Sequence, residues 1–296
     1  MHDLPELQET QPELLLAIDR VGVKGVRRRI TIDSPIGPIS YDVEVDVYVD
    51  LPRDLRGIHM SRNMEVILEA IDEARQGHYV SLEKLFEEVG RKLLTKHSHA
   101  RRAEIIVRTT YYYEEDINGK KVPEAADVYL SISTWRDGSI EWTVGIGLEG
   151  MTVCPSAQAT YSVMEKTELY KSPSHSQRAR LSIKVTTCRR IARIEWLVNA
   201  VREAFSSPTY SLLKRVDEYS VIKKAFEKPR FVEDLVRYAL YNIATKLSSE
   251  GFPGSTKIFV EAVSYESIHP YNAYACREAA LTEVLKQIEE SYPTRK

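Results

Sequence analysis

The chain is predicted to fold as α+β, with antiparallel strands and helices grouped in blocks rather than in strict βαβ order. Three observations predict it. Strand-type alternation comes in neighbouring runs separated by turn residues, helix-type periodicity follows in adjacent blocks, and this succession of blocks approximately returns in the second half of the chain. The return is one of element order only, because no residue-level repeat accompanies it.

After a polar start, residues 26–32 and 39–49 read as strands around the turn Asp33-Ser34-Pro35-Ile36-Gly37. In the second of them Tyr41, Val43, Val45, Val47 and Val49 alternate with Asp42, Glu44, Asp46 and Tyr48, the pattern of a half-buried hairpin arm. Residues 63–75 and 81–94 carry apolar side chains at helical spacing and are joined by a short Gln76-Gly77-His78 connection. Strands follow over 102–112, 127–135 and 139–148, with Asn118-Gly119 and Asp137-Gly138 as turn signals. The second half has strand character over 151–163 and 180–187. Helices are predicted over 191–205, 211–226 and 231–248, a strand over 257–263 and a final helix over 276–291. This order places an N-terminal extension at 1–25, a first module at 26–150 and a second at 151–296. The absence of a Gly/Ser linker between them points to modules that share a continuous sheet.

Composition narrows the function classes. At 296 residues and 43% hydrophobic content the chain can bury a large core. Lys and Arg (41) nearly balance Asp and Glu (43), so no global excess of positive charge favours nucleic acid, and an anionic ligand must be met locally. Three cysteines, Cys154, Cys188 and Cys276, form neither a CxxC pair nor an even framework, which predicts a reducing, cytoplasmic setting. The acidic, proline-containing stretch 1–13 does not read as a signal peptide, and no run approaches the roughly 18 apolar residues of a membrane span.

Local chemistry offers several candidate sites, each with an ordinary alternative. Cys154, followed by Pro155 and Ser156, and His175, in His175-Ser176-Gln177-Arg178, are both good ligands for a divalent transition metal. Single cysteines and histidines are more often buried or satisfied structural residues. The run from Arg53 to Arg62, containing Arg56, His59 and Ser61, precedes a helix, where Ser61 as N-cap and the arginines would suit a phosphate; a solvated loop is the alternative. His97 and His99 sit in a helix-to-strand connection, where basic groups complement the helix dipole. The acidic pairs Asp217-Glu218 and Glu233-Asp234 read as surface groups, those near the start of the 231–248 helix being favoured there by its dipole, but a carboxylate can also accept from guanine N1–H and the 2-amino group or join a metal shell. Glu266, His269 and Tyr271 cluster after a strand, a setting suited to proton transfer or to a histidine plugged into its loop.

Taken together these stretches resemble the type IB GTP cyclohydrolases, and within them the archaeal branch. The matching runs are Arg56-Gly57-Ile58-His59-Met60-Ser61-Arg62, Cys154-Pro155-Ser156, His175-Ser176-Gln177-Arg178, Asp217-Glu218 through Phe231-Val232-Glu233-Asp234-Leu235-Val236-Arg237, and Glu266-Ser267-Ile268-His269, in family order over nearly the whole chain. The resemblance implies a tunnelling fold (T-fold): two tandem ββαα-like modules per chain, whose antiparallel sheets form a barrel in a homo-oligomer, a tetramer, with active sites between subunits. It implies a divalent transition metal in each subunit, Fe(II) foremost with Mn(II) or Zn(II) as substitutes. Cys154 and His175 would be ligands and Glu218 the neighbouring acid. Glu233 falls where the superfamily anchors a purine, Glu266 and His269 match the C-terminal acid and histidine of the site, and Arg56, Arg62, Arg178 and His59 are candidates for the triphosphate.

Two departures bear on the product. Many bacterial type IB enzymes read Cys-Pro-Cys where this chain has Cys154-Pro155-Ser156, and His-Asn-His where it has His269-Pro270-Tyr271. Ser156 supplies no thiolate and Tyr271 no imidazole. Both look like the archaeal branch, which releases formate and diphosphate from GTP and forms 7,8-dihydroneopterin 2′,3′-cyclic phosphate. The bacterial product, 7,8-dihydroneopterin triphosphate, is the alternative. Two further alternatives are a T-fold nitrile reductase, in which the thiol attacks substrate and NADPH supplies hydride, and a purine- or pterin-binding protein without catalysis. The expected ligand is GTP, with neither nucleic acid nor membrane as partner.

Overall fold

Strand β1 (Ile18–Ser34) and strand β2 (Gly37–Leu51) form the long antiparallel hairpin that the Val/Asp alternation predicts, with Val26 opposite Val45 and Ile32 opposite Ile39. The computed structural model describes residues 6–34, 37–79, 81–117 and 119–291, so Pro35 and Ile36 of the first turn, Asn118 of the second and the first five residues of the polar start lie outside the described residues. These residues divide into two units. One comprises Met1–Thr110, Tyr129–Thr143 and Cys188–Arg190, the other Tyr111–Val128, Val144–Thr187 and Ile191–Lys296.

In the first unit β2 also pairs antiparallel with β3 (Arg102–Ile117), Val47 facing Ile105. The valines of β2 are buried as expected, but so is Asp46 on the polar face, at 1% exposure. A bulge in β1 explains this exception. Gly25 takes a positive φ of 73°, which only glycine adopts without strain, and its N–H donates to Asp46 Oδ1 at 2.8 Å. The Arg108 guanidinium meets the other carboxylate oxygen at 3.1 Å. Helix α1 (Met60–Arg75) buries Val66, Ile67, Ala70, Ile71 and Ala74, and α2 (Leu82–Lys96) buries Leu85, Phe86, Val89 and Leu93; both stripes follow the helical period. Ser81 caps α2 by accepting from Lys84 N, whereas the N-cap of α1 is His59 and not Ser61, which lies inside the first turn. His97 is fully buried, its Nε2 2.7 Å from Asn63 Oδ1, and burial pushes its pKa down to about 4. The His97-Ser98-His99 run is therefore a packing feature at this position, with its imidazole kept neutral.

Strands β4 (Lys120–Trp135) and β5 (Ile140–Val153) contribute residues to both units. In the second unit the strand order continues from β5 to β6 (Ser176–Thr187), β8 (Lys257–Ser264) and β9 (Ala273–Ala280), with the short β7 (Ser207–Pro208) paired beside β5 at Met151 and Gly150. β6, β8 and β9 run antiparallel, Ile183 opposite Val260 and Val260 opposite Arg277. Helices α4 (Ile194–Ala204), α6 (Val232–Ser249) and α7 (Leu281–Ser291) supply Leu197, Val201, Leu235, Ile243, Leu247 and Val284 to one core with Leu181, Ile183, Ile258 and Val260. Each such aliphatic side chain stabilises the unit by about 1.5–3 kcal/mol when fully buried.

Two elements differ in type from the sequence expectation, and β1 begins at Ile18, within the stretch read as an N-terminal extension. The predicted strand over 151–163 stops at Val153, and α3 (Pro155–Glu165) follows, because Pro155 stands at the first helical turn where its fixed φ and missing N–H are no handicap. The strand-like residues Tyr161, Val163 and Met164 are exposed on that helix, and Gln158 is its buried residue. The predicted helix over 276–291 begins only at Leu281, since residues 273–280 pair along the whole of β8. Ala, Arg and Glu in β9 favour a helix, and the neighbouring strand's ladder overrides that preference. Helix α5 (Arg215–Glu227) completes the set. Among the described residues no helix is long and apolar enough to cross a membrane.

Candidate active site

The end of β5 sets the site. Val153 closes the strand, and Cys154 is the N-cap of α3, its Sγ 3.5 Å from Ala157 N. The Cys154 N–H donates to the carbonyl of His175 at 3.1 Å, and Ser174 Oγ donates to the Cys154 carbonyl at 2.6 Å. The chain between the two residues is thus an excursion, α3 and a 3-10 turn at Leu169–Lys171, that leaves and returns at one point.

A second tie brings in α6. Arg230 N–H donates to the Val153 carbonyl at 2.9 Å, and the buried Arg230 guanidinium donates to the carbonyls of Glu203 and Ala204 at the end of α4. It also lies 3.6 Å over the Tyr238 ring. Burial pulls its pKa below the ordinary value. Phe231 and Glu233 follow at the N-terminus of α6, where Asp234 accepts from Phe231 N–H at 3.1 Å.

The third wall comes from the end of β8. Tyr265 N–H donates to the Arg178 carbonyl, which continues the β6–β8 pairing and turns Glu266 inward. The Glu266 side chain is 10% exposed and His175 13%. Glu266 Oε1 accepts from Ser264 Oγ at 2.7 Å and from Gln177 Nε2 at 3.2 Å, and its Oε2 lies 3.8 Å from His175 Nδ1. The His269 ring stands edge-on to His175, with 6.3 Å between centroids, and stacks on Tyr271 at 5.2 Å.

Cys154, His175, Glu233, Glu266 and His269 therefore line one cavity of about 250 Å³, with Thr152, Gln177, Arg230, Ser264 and Tyr271 among its other walls. A thiol, two imidazoles and two carboxylates facing one cavity is a donor set that suits a borderline-soft divalent metal. The fit is that of a partial shell: among the described residues no three His, Cys, Asp or Glu groups stand close enough to hold a metal by themselves.

The other expected residues lie elsewhere. Glu218 is exposed in the first turn of α5 and does not line this cavity. Arg178 is exposed and pairs with Glu149 at 3.1 Å. Arg56, His59 and Arg62 belong to the first unit: Arg56 N–H donates to the Thr10 carbonyl, His59 Nε2 is 3.3 Å from Glu6, and Arg62 reaches the Lys96 carbonyl at 3.4 Å. Gln177 and Arg230 were visible in the motif runs but carried no assigned role. His175 and Gln177 precede the strand predicted over 180–187, and β6 begins only at Ser176, so no alternation in the sequence singled out Gln177. Thr152 and Ser264 had no signal either.

This architecture, an antiparallel sheet with helices over its core and catalytic-type side chains at the strand ends, defines the chain as a T-fold protein. Solved structures support that fold: the uricase of Arthrobacter globiformis matches with a TM-score of 0.52 at 12% identity, over 90% of this chain and 94% of that one. The uricase of Bacillus fastidious matches with a TM-score of 0.51 at 10% identity, over 94% and 97%. A family profile described as type I GTP cyclohydrolase folE2 matches residues 4–275. Proteins named GTP cyclohydrolase MptA are similar throughout: that of Aeropyrum pernix at 40% identity over 94% of this chain and 97% of the relative, and that of Methanobrevibacter smithii at 34% over 96% and 98%. The chain belongs to the type I GTP cyclohydrolase family, a family of enzymes, and is of the MptA type.

Proposed function

We propose that the chain is a metal-dependent GTP cyclohydrolase that opens the guanine imidazole ring of GTP, releases formate and forms 7,8-dihydroneopterin 2′,3′-cyclic phosphate and diphosphate. The observation that carries this reading is the convergence of Cys154, His175, Glu266, His269 and Glu233 on one cavity. The sequence of the MptA-named relatives supports the substrate.

Cys154 and His175 would hold a divalent metal, Fe(II) foremost, with Mn(II) or Zn(II) as substitutes; Glu218 is given the acidic position of that shell on family resemblance alone. When bound, such a metal supplies Lewis acidity for the addition of water at C8. Glu233, exposed at the start of α6, accepts from the guanine edge, where the helix dipole favours its charge. His269, held edge-on to His175 and stacked on Tyr271, delivers and removes protons at N7 as the ring opens. Glu266 is the largely buried acid 3.8 Å from His175. Arg56, His59, Arg62 and Arg178 are given the phosphates on family resemblance alone, and a hydroxyl of the ribose-derived chain attacks the α-phosphate to expel diphosphate. Family resemblance supports a homo-oligomer, a tetramer with barrel-forming sheets and sites between subunits. Three free cysteines support a cytoplasmic location.

Anaerobic incubation with GTP and Fe(II), Mn(II) or Zn(II), followed by formate assay and mass measurement of the pterin, tests the proposal. Formate with the cyclic-phosphate mass is expected. Formate with the triphosphate mass transfers the reading to the bacterial product, and no formate with any of the metals removes it.

A further inference from the structure

The side-chain amide of Gln177 stands between the Thr152, Ser264 and Glu266 wall of the cavity and the His175 imidazole. The amide nitrogen lies 3.2 Å from Thr152 Oγ1, 3.1 Å from Ser264 Oγ and 3.2 Å from Glu266 Oε1. An ionised Glu266 is an acceptor only, and the Ser264 hydroxyl hydrogen is already directed to Glu266, so this end of the amide must be the NH₂ end. That fixes the opposite end as the carbonyl oxygen. It faces His175 Nδ1 at 3.0 Å and accepts from Ser267 Oγ at 3.4 Å.

A carbonyl oxygen can only accept, so His175 Nδ1 must carry a hydrogen. In the neutral ring the lone pair then resides on Nε2, across the ring from Gln177. Free imidazole side chains in water favour the opposite tautomer, and a ring chosen for ligation commonly has its second nitrogen tied to an acceptor in this way. We infer that Gln177 is a positioning residue, which reads the orientation imposed by Glu266 and Ser264 and passes it on as the Nδ1–H form of His175, leaving Nε2 as the donor atom for the cavity. A purely structural Gln177, tying β6 to β8, would make no demand on which end of its amide faces the imidazole. The metal consequence rests on the function proposed above; the tautomer does not.

The test uses the full chain labelled with ¹⁵N-histidine, with His175 identified by its loss in His175→Asn. Metal-free wild type should show the Nδ1–H pattern at neutral pH. Gln177→Met, similar in size but without an acceptor, should shift His175 toward the Nε2–H form and weaken Zn(II) binding about ten- to a hundredfold in chelator competition. An Nε2–H form in wild type overturns the assignment, as does an unchanged tautomer in folded Gln177→Met. A wild type that shows Nδ1–H yet takes up no Zn(II) supports the role of Gln177 and removes the metal reading instead.

Discussion

The Cys154 N–H and the His175 carbonyl meet at 3.1 Å, so the thiol and the imidazole are held together by main chain and not by their own side chains. Substitution of either side chain leaves this tie in place.

Cys154→Ala should therefore abolish formate release, with kcat falling by more than about a hundredfold if the metal term of catalysis is lost. Stability should change by less than about 1 kcal/mol, because the hydrogen bond removed is a long, 3.5 Å Sγ cap on α3. Formate assay and thermal unfolding on the same preparation separate the two. Normal turnover would refute the role of the thiol.

Arg230→Met removes donors to two main-chain carbonyls and a cation over the Tyr238 ring. The loss should cost about 2–4 kcal/mol in urea unfolding, since buried acceptors are left without partners. Activity should fall as well, because Arg230 anchors the start of the helix that carries Glu233. Unchanged unfolding in this variant would show that water replaces the guanidinium.

Gly150 lies directly under the ring of buried Phe205, and a Cβ built there would be 2.2 Å from its Cγ. Gly150→Ala should destabilise the chain by about 1–3 kcal/mol. Phe205→Leu in the same chain should recover part of that loss, and a double-mutant cycle in denaturant measures the coupling.

His97 gives a pH dependence with a defined sign. Its folded pKa of about 4 lies below the ordinary 6.5, so as pH falls the unfolded chain takes up the proton first. The stability tied to neutral His97 is complete above about pH 6.5, is lost as pH falls from there toward 4, and changes no further below that. The full window corresponds to about 3 kcal/mol. His97→Gln should flatten the slope of unfolding free energy across it; an unaltered slope would mean the buried imidazole is not what titrates.

The fold was legible where burial alone decides structure. The valines of β2 and the helical stripes of α1, α2 and α6 show a period that only one face toward a core explains. Asp46 broke that pattern unannounced, because its burial depends on a bulge at Gly25 in another strand. Residues 155–165 misled because their aromatic and β-branched side chains point to solvent, and β9 misled because its partner strand is what makes it extended. In the site, the ligand-type residues stood out by chemistry, and Cys154, His175, Glu233, Glu266 and His269 do share one cavity. Gln177 did not stand out, since an amide acquires meaning only from what sits at each of its ends.

The pinned excursion between Cys154 and His175 also bears on how such proteins diverge. Inserting or deleting residues within α3 or its following turn lengthens or shortens a loop whose two ends are already fastened, and the entropic penalty of that change grows only slowly with length. The hydrogen bond from Cys154 N–H to the His175 carbonyl lies outside the altered stretch. The separation of the two residues along the chain is consequently a poor guide to kinship, and a search for distant relatives does better to ask for a strand-ending thiol hydrogen-bonded to the entry of the next strand.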